Sequence, residues 1–180
     1  MVDPNGFPQP NVATAALPFP IDLDLPAGWT PVAPAAAGEP QAGYVAVRAA
    51  DTDRPVPTSL VLSGLTVPAN QVDLRALAGS HVERLRSHLE VTVLSREADA
   101  DGRQAAQLLR IAGGPVPLNQ IQIVMAFPDA ADPAVIGLLQ IMLSCPEDVL
   151  GTAGPEFRGI VASIRPATAQ PEQPTQATEQ

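Results

Sequence analysis

Residues 70–90 read NQVDLRALAGSHVERLRSHLE, and the reading of this stretch decides the fold. Leu74, Ala78, Val82, Leu85 and Leu89 recur at steps of three and four, so on a helix they form one apolar stripe. Asn70 is placed to cap the first turn, and Asp73 lies near the positive end of the helix dipole. At 1.5 Å per residue, the helix predicted over 70–90 is roughly 30 Å long, about the width of a small domain. Short alternating runs precede and follow it, so it is expected to lie across a sheet.

Upstream, Phe19, Ile21, Leu23 and Leu25 alternate with Pro20, Asp22 and Asp24, the pattern of a strand with one buried face. Pro20 places that strand at an edge or at its own start. Pro26-Ala27-Gly28-Trp29 then turns the chain, with the only tryptophan expected to close one end of the core. Pro31 to Gly43 reads as a loop, Tyr44 to Arg48 as a short strand and Thr58 to Val67 as the next. The alternation through Leu60 and Leu62 resumes one residue out of phase at Leu65 and Val67, which predicts a β-bulge at Gly64.

Downstream, Val91 to Ser95 and Gln104 to Ile111 flank a turn containing Asp101-Gly102, a hairpin signal. Ile121, Ile123, Met125 and Phe127 alternate with Gln120, Gln122, Val124 and Ala126. Val135 to Leu143 is apolar on both sides except at Gln140, as a central strand covered on both faces requires. Pro155 suits a first helical turn, and Phe157, Ile160, Val161 and Ile164 form a second stripe that Pro166 stops. The connections between strands are mostly too short for parallel crossovers. The expected fold is therefore α+β, an α/β/α sandwich around a mainly antiparallel sheet of about seven strands with a helix on each side.

The 180-residue length accommodates one domain, predicted over 18–166, with a flexible arm at 1–17 and a disordered Pro/Gln/Thr/Glu tail at 167–180. A net charge of −9, with ten scattered basic residues that are all arginine, argues against a nucleic-acid partner. No run reaches the ~18 apolar residues of a membrane span, so direct membrane insertion is not expected. As written the chain reads as cytoplasmic, and as a cell-envelope protein if a leader has been removed.

The candidate chemistry is sparse. Glu97, Asp99, Asp101 and Gly102 imitate the start of a calcium loop, but its twelfth position is Leu108 rather than a bidentate glutamate. His81 and His88 stand two helical turns apart, too far to share a metal, and are expected to flank the apolar stripe beside Leu77. Cys145, the only cysteine, lacks a histidine at any recognisable spacing and reads as a small buried hydrophobe. Gly113-Gly114-Pro115 is no phosphate loop, since the chain has no lysine. No catalytic, cofactor or metal residue is assigned, and no enzyme is expected. The alternative is an enzyme with a small pocket near Trp29 and Tyr44.

The opening from Phe19 to Trp29, the helix from Asn70 to Glu90, and the closing run Val135 to Cys145 followed by Phe157 to Ser163 carry a family resemblance. Together they resemble the actinobacterial LpqN/LpqT proteins, within the wider PsbP/Mog/DcrB-like superfamily, over about residues 18–166. The resemblance implies the α/β/α sandwich and a non-enzymatic protein-binding role, as an adaptor or chaperone linked to envelope or secretion processes. DcrB-like relatives include chaperones that shield apolar segments of secreted effectors. The implied partner is thus an apolar or amphipathic segment of a secreted or envelope protein, with a homodimer or a structural envelope module as further expectations. Many LpqN-like members are lipoproteins, and this sequence shows neither their leader nor their lipid-accepting cysteine.

Overall fold

A computed structural model describes residues 17–129 and 132–167. The predicted arm and tail therefore lie outside the described residues, except for Leu17, which packs against the core, and Ala167, whose N–H donates to the Pro20 carbonyl at 2.9 Å. The strands are β1 (Ile21–Asp22), β2 (Trp29–Val32), β3 (Tyr44–Arg48), β4 (Ser59–Pro68), β5 (Glu90–Ala98), β6 (Gln104–Ala112), β7 (Leu118–Pro128), β8 (Val135–Pro146) and β9 (Arg165–Pro166). Helix α1 (Leu74–Arg86) and helix α2 (Leu150–Ser163) complete the fold. Seven strands form one sheet in the order β2-β3-β4-β8-β7-β6-β5, every pair antiparallel, and β1 pairs with β9 separately. The strand read as central, β8, occupies the middle of the seven.

Each helix covers a different half of the sheet, on opposite faces. Phe157 and Ile160 of α2 pack with Trp29, Tyr44, Leu60, Leu62, Ile141 and Leu143, over the β2-to-β8 half. Leu74 of α1 packs with Ala105, Val124 and Leu138, and Val82 with Leu109 and Ile111, over the β8-to-β5 half. On the α1 face, the β2–β3 loop folds back so that Ala42 covers Val45 and Val61. The alternation in β7 thus has two destinations: its odd residues face α2 and its even residues, Gln120 and Gln122 among them, face α1.

Helix α1 is shorter than the sequence pattern suggested. Residues 69–71 form a 3-10 turn after Pro68, and the side chain of Asp73, not Asn70, accepts the Ala76 N–H at 2.9 Å as the helix cap. Thirteen residues give a helix of about 20 Å. Helix α2 begins earlier than expected, at Leu150, which leaves Pro155 inside it. Gly154 has no Cβ to clash with the proline ring, and Gly151, whose carbonyl loses a donor, is exposed to water.

Two further expectations are corrected. The Phe19–Leu25 run is extended, with Ile21 and Leu23 buried as the alternation requires, but it lies across the α2 face instead of joining the main sheet. The edge strand is β2, which the prolines on either side of Trp29 had disguised as a turn and loop. Gly64 carries no bulge: β4 pairs with β8 without interruption from Ser59 to Pro68. The bulge lies at Val93/Ser95 in β5, opposite β6. What Gly64 provides is room. A Cβ there would stand 2.5 Å from both the Leu138 carbonyl oxygen and Pro18 Cδ, and one at Gly137 would stand 2.6 Å from Phe19 Cε1. The apolar positions of β4 change phase because Pro18 and Phe19 fill the α2 side of its second half.

These close approaches generate a contrast between glycines. Gly64→Ala or Gly137→Ala should lower unfolding stability by about 1–3 kcal/mol through overpacking. Gly159→Ala, in α2 with open space around its Cβ position, should raise it by roughly 0.5–1 kcal/mol. Chemical denaturation of the three variants checks this, and equal effects at all three positions would refute the packing of residues 18 and 19 on the sheet.

Candidate functional site

The sequence-derived candidates do not converge on one site. Burial holds Cys145 fully away from solvent beneath α2, pushing its thiol up to about 11, with the Asp51 and Asp148 charges adding to the rise. Asp99 is consumed by its own hairpin: its carboxylate accepts the Gln104 N–H at 3.0 Å, and Gly102 takes a left-handed φ of 67° in the turn. His88 is exposed, whereas His81 is buried. Among the described residues, no three His, Cys, Asp or Glu side chains gather to hold a metal ion.

Trp29 and Tyr44 belong to the core and are buried. The Trp29 indole N–H donates to Glu156 at 2.8 Å, and Arg48 bonds both oxygens of the same carboxylate at 3.0 Å. The Tyr44 hydroxyl has no hydrogen-bond partner, and burial pushes its phenol up to about 12. This cluster ties α2 to the β2–β3 edge and is internally satisfied at its charges. The pocket expected near Trp29 and Tyr44 is occupied by this packing.

An open groove lies on the other face. It measures about 290 Å³ and runs between α1 and the sheet, where the helix stops covering it. Val124, Leu138 and Gln140 line it from β7 and β8, Ser63 to Leu65 from β4, and Leu77, Ser80, His81 and Arg84 from α1. Leu65 is 52% exposed and Leu77 37%, two of the three large exposed apolar side chains among the described residues.

Hydrogen bonds fix the helix wall of this groove. Arg84 reaches His81 Nδ1 at 2.9 Å, and a guanidinium can only donate, so Nδ1 is the unprotonated nitrogen. Nε2 therefore carries the proton and donates to Gln120 Oε1 at 2.7 Å, while Gln120 Nε2 donates to Ser144 Oγ at 3.1 Å. Burial lowers the pKa of His81 and the Arg84 charge lowers it further, against the bond to Gln120, so the ring stays neutral. Gln107 donates to the Ala78 carbonyl at 2.9 Å and to Gln122, and accepts from Arg96 at 3.0 Å. These buried glutamines were not assigned a role from the sequence; Gln120 and Gln122 left a signal as polar residues alternating with the apolar ones of β7, whereas Gln107 in β6 left none. Among the described residues no carboxylate pairs with Arg84, the only charged side chain lining the groove.

Neither a protein-family model nor a curated protein matches the chain. Solved structures do. LpqN of Mycobacterium tuberculosis, involved in cell envelope biogenesis, superposes with a TM-score of 0.60 at 15% identity, covering 82% of this chain and 83% of its own. Cyanobacterial PsbP (CyanoP) from Synechocystis sp. PCC 6803 gives 0.59 at 18% identity, covering 82% and 86%. The fold is the one these two proteins share. The Saccharomyces cerevisiae Ran-binding protein Mog1p shares it with a TM-score of 0.51 at 12% identity, covering 81% of this chain and 89% of its own. Identities this low carry the architecture and leave the LpqN family itself undecided.

Two outcomes follow from the site chemistry. The bonds from Arg48, against the opposing effect of burial and with help from Trp29, hold the Glu156 carboxyl below its ordinary 4.5. The stability it contributes is therefore complete above about pH 4.5 and lost as pH falls through the lower folded-state value. Glu156→Gln should be less stable at neutral pH and lose less stability on acidification than the wild type, measured by urea unfolding between neutral and acid pH. Cys145 in the folded chain should resist iodoacetamide near neutral pH and react fully once unfolded in guanidinium; fast stoichiometric labelling of the folded chain would contradict its packing role.

Proposed function

We propose that the chain is a non-enzymatic protein-binding module, an adaptor or chaperone linked to envelope or secretion processes. In this reading, the groove between α1 and β4, β8 and β7 receives an apolar or amphipathic segment of a partner protein. The observation that carries it is the pair of exposed leucines, Leu65 and Leu77, lining a groove whose floor includes Val124 and Leu138 beside Gln140. Each of the two leucines still holds apolar surface in water, and burying that remainder against a partner stabilises the complex by about 1 kcal/mol per side chain. Protein partnership is also consistent with the fold, since Mog1p is a Ran-binding protein and LpqN is involved in envelope biogenesis. Against an enzyme stand the neutral, fully bonded His81 and the buried Cys145.

The test is a pull-down from the native host with mass spectrometry, followed by titration calorimetry with the captured protein. Binding should show a negative heat-capacity change and weak salt dependence. Leu65→Ser and Leu77→Ser should each weaken it by about fivefold while leaving the melting temperature nearly unchanged. Turnover of a small molecule abolished by one substitution, or a steep salt dependence, would sink the proposal.

A further inference from the structure

Strand β4 is longer than its neighbour β3, and the excess is where the groove opens. The β3–β4 register ends at Tyr44 opposite Leu62, and the last bond across that seam runs from the Gly43 N–H to the Leu62 carbonyl at 2.8 Å. The bond from the Arg48 N–H to the Thr58 carbonyl at 2.9 Å fixes the phase: even-numbered residues of β4 turn their backbone groups toward β3. Gly64 and Thr66 must point the same way, past the end of β3, because alternate residues of a strand bond to opposite sides. No backbone bond among the described residues takes their N–H or C=O groups on that side. Pro68, the next outward residue, has no N–H and closes the open edge.

Two pockets flank this edge, one on each face. The groove beside α1 takes in Gly64 and Leu65, and a second cavity of about 280 Å³ on the α2 face is lined by Pro18, Phe19, Thr66, Phe127 and Gly137, among others. A strand laid against Gly64 and Thr66 would direct successive side chains to the two faces in turn, and hence to the two pockets. The α1 side offers apolar walls and Arg84, a cation whose side-chain partner is an uncharged histidine nitrogen. The α2 side is dominated by aromatic and proline rings.

Building on the proposed binding role, we infer that the partner docks by strand addition. An extended segment of another protein pairs with the Gly64–Thr66 edge of β4, places apolar side chains alternately in the two pockets, and sets a carboxylate against Arg84. Backbone pairing supplies affinity that is independent of side-chain identity, and the pockets with Arg84 supply the selection. The sequence class recognised is therefore a pair of adjacent apolar residues, one for each face, with an aspartate, glutamate or terminal carboxylate two positions from the one on the α1 side.

The probe is a phage-displayed library of random peptides about twelve residues long, roughly 40 Å when extended, selected on the full chain. Enriched peptides should carry adjacent apolar residues and an acid two positions from one of them. The strongest, made synthetically, should protect the Gly64 and Thr66 amides from hydrogen exchange. Arg84→Gln should weaken it by about tenfold. Thr66→Pro should do the same, since it deletes an N–H that faces outward, where edge strands accept proline. If Thr66→Pro does not fold, the amide protection in the wild type decides alone. Peptides sensitive to Leu77→Ser that leave both amides unprotected would overturn strand addition while sparing the groove reading. Peptides insensitive to Leu77→Ser, or no enrichment at all, would overturn both. Protection of the two amides in the free chain would also overturn the inference, in favour of a second copy if it fades on dilution and of residues 1–16 if it does not.

Discussion

The structure is governed by a mismatch of widths. Seven strands spaced about 4.8 Å apart make a sheet roughly 29 Å across, whereas a helix with its side chains is only about 10 Å wide. One helix per face cannot cover it. The chain sets α2 over one half of one face and α1 over the other half of the opposite face. It then mends the gaps with irregular segments: the extended run through Ile21 and Leu23 beside α2, and the β2–β3 loop over Val45 and Val61. The glycines at 64 and 137 exist to let the first of these segments lie close to the strands. Where neither helix nor segment reaches, the groove with Leu65 and Leu77 remains.

This arrangement explains which features were legible in the sequence. Of the stripe, Leu74, Ala78, Val82 and Leu85 survive within the helix, because a helix on a sheet must obey a 3.6-residue period, while Leu89 lies past its end at Arg86; β8 declared its central place by being apolar on both sides. Periodicity reports a buried surface but not its partner. Phe19 to Leu25 alternates as a strand does, yet only Ile21 and Asp22 pair, and with β9 rather than with the main sheet. The shift of phase in β4 likewise recorded a change in which face is covered, and was mistaken for a change in backbone. Helix ends were less legible because Asn70 and Asp73 are both good caps, and the 3-10 turn after Pro68 decides between them. The groove was foreseeable only as an area left over. Its location depends on where α1 lies over the sheet, and the bonds that Gln107 donates to the Ala78 carbonyl and Gln120 accepts from His81 tie the helix there; no apolar pattern encodes those bonds.

The charged residues divide according to whether their partners are charged. Arg48 is answered by Glu156 and Asp51, Arg54 by Asp51 and Asp148, and Arg110 by Glu147. These pairs lie at the β2–β3 edge and the end of the sheet near α2, where Asp51, itself buried, and Glu156 tie the residues after β3 to the helix. Such partly exposed pairs add little stability individually, and their use is in fixing geometry. Arg84 differs. Its acceptor is a neutral ring nitrogen held in one tautomer by Gln120 and Ser144, so the guanidinium is oriented without being neutralised.

Under the proposed binding role, an oriented but uncompensated cation at the rim of the groove has a consequence for selectivity. On a chain with a net charge of −9, most acidic partners are repelled at long range, and that repulsion is screened beyond about 10 Å at ordinary salt. An acidic residue that nevertheless reaches Arg84 meets a charge whose orientation has already been fixed, so little further ordering of the arginine is required. Neutral apolar segments gain the walls but not the ion pair, and basic ones must crowd the guanidinium. The charge discrimination in that binding mode thus comes from one residue, positioned by a hydrogen-bond chain running from His81 on the helix to Ser144 on the central strand. The same glutamine that anchors α1 to the sheet sets the tautomer that presents Arg84, which couples the placement of the helix to the selectivity of the groove.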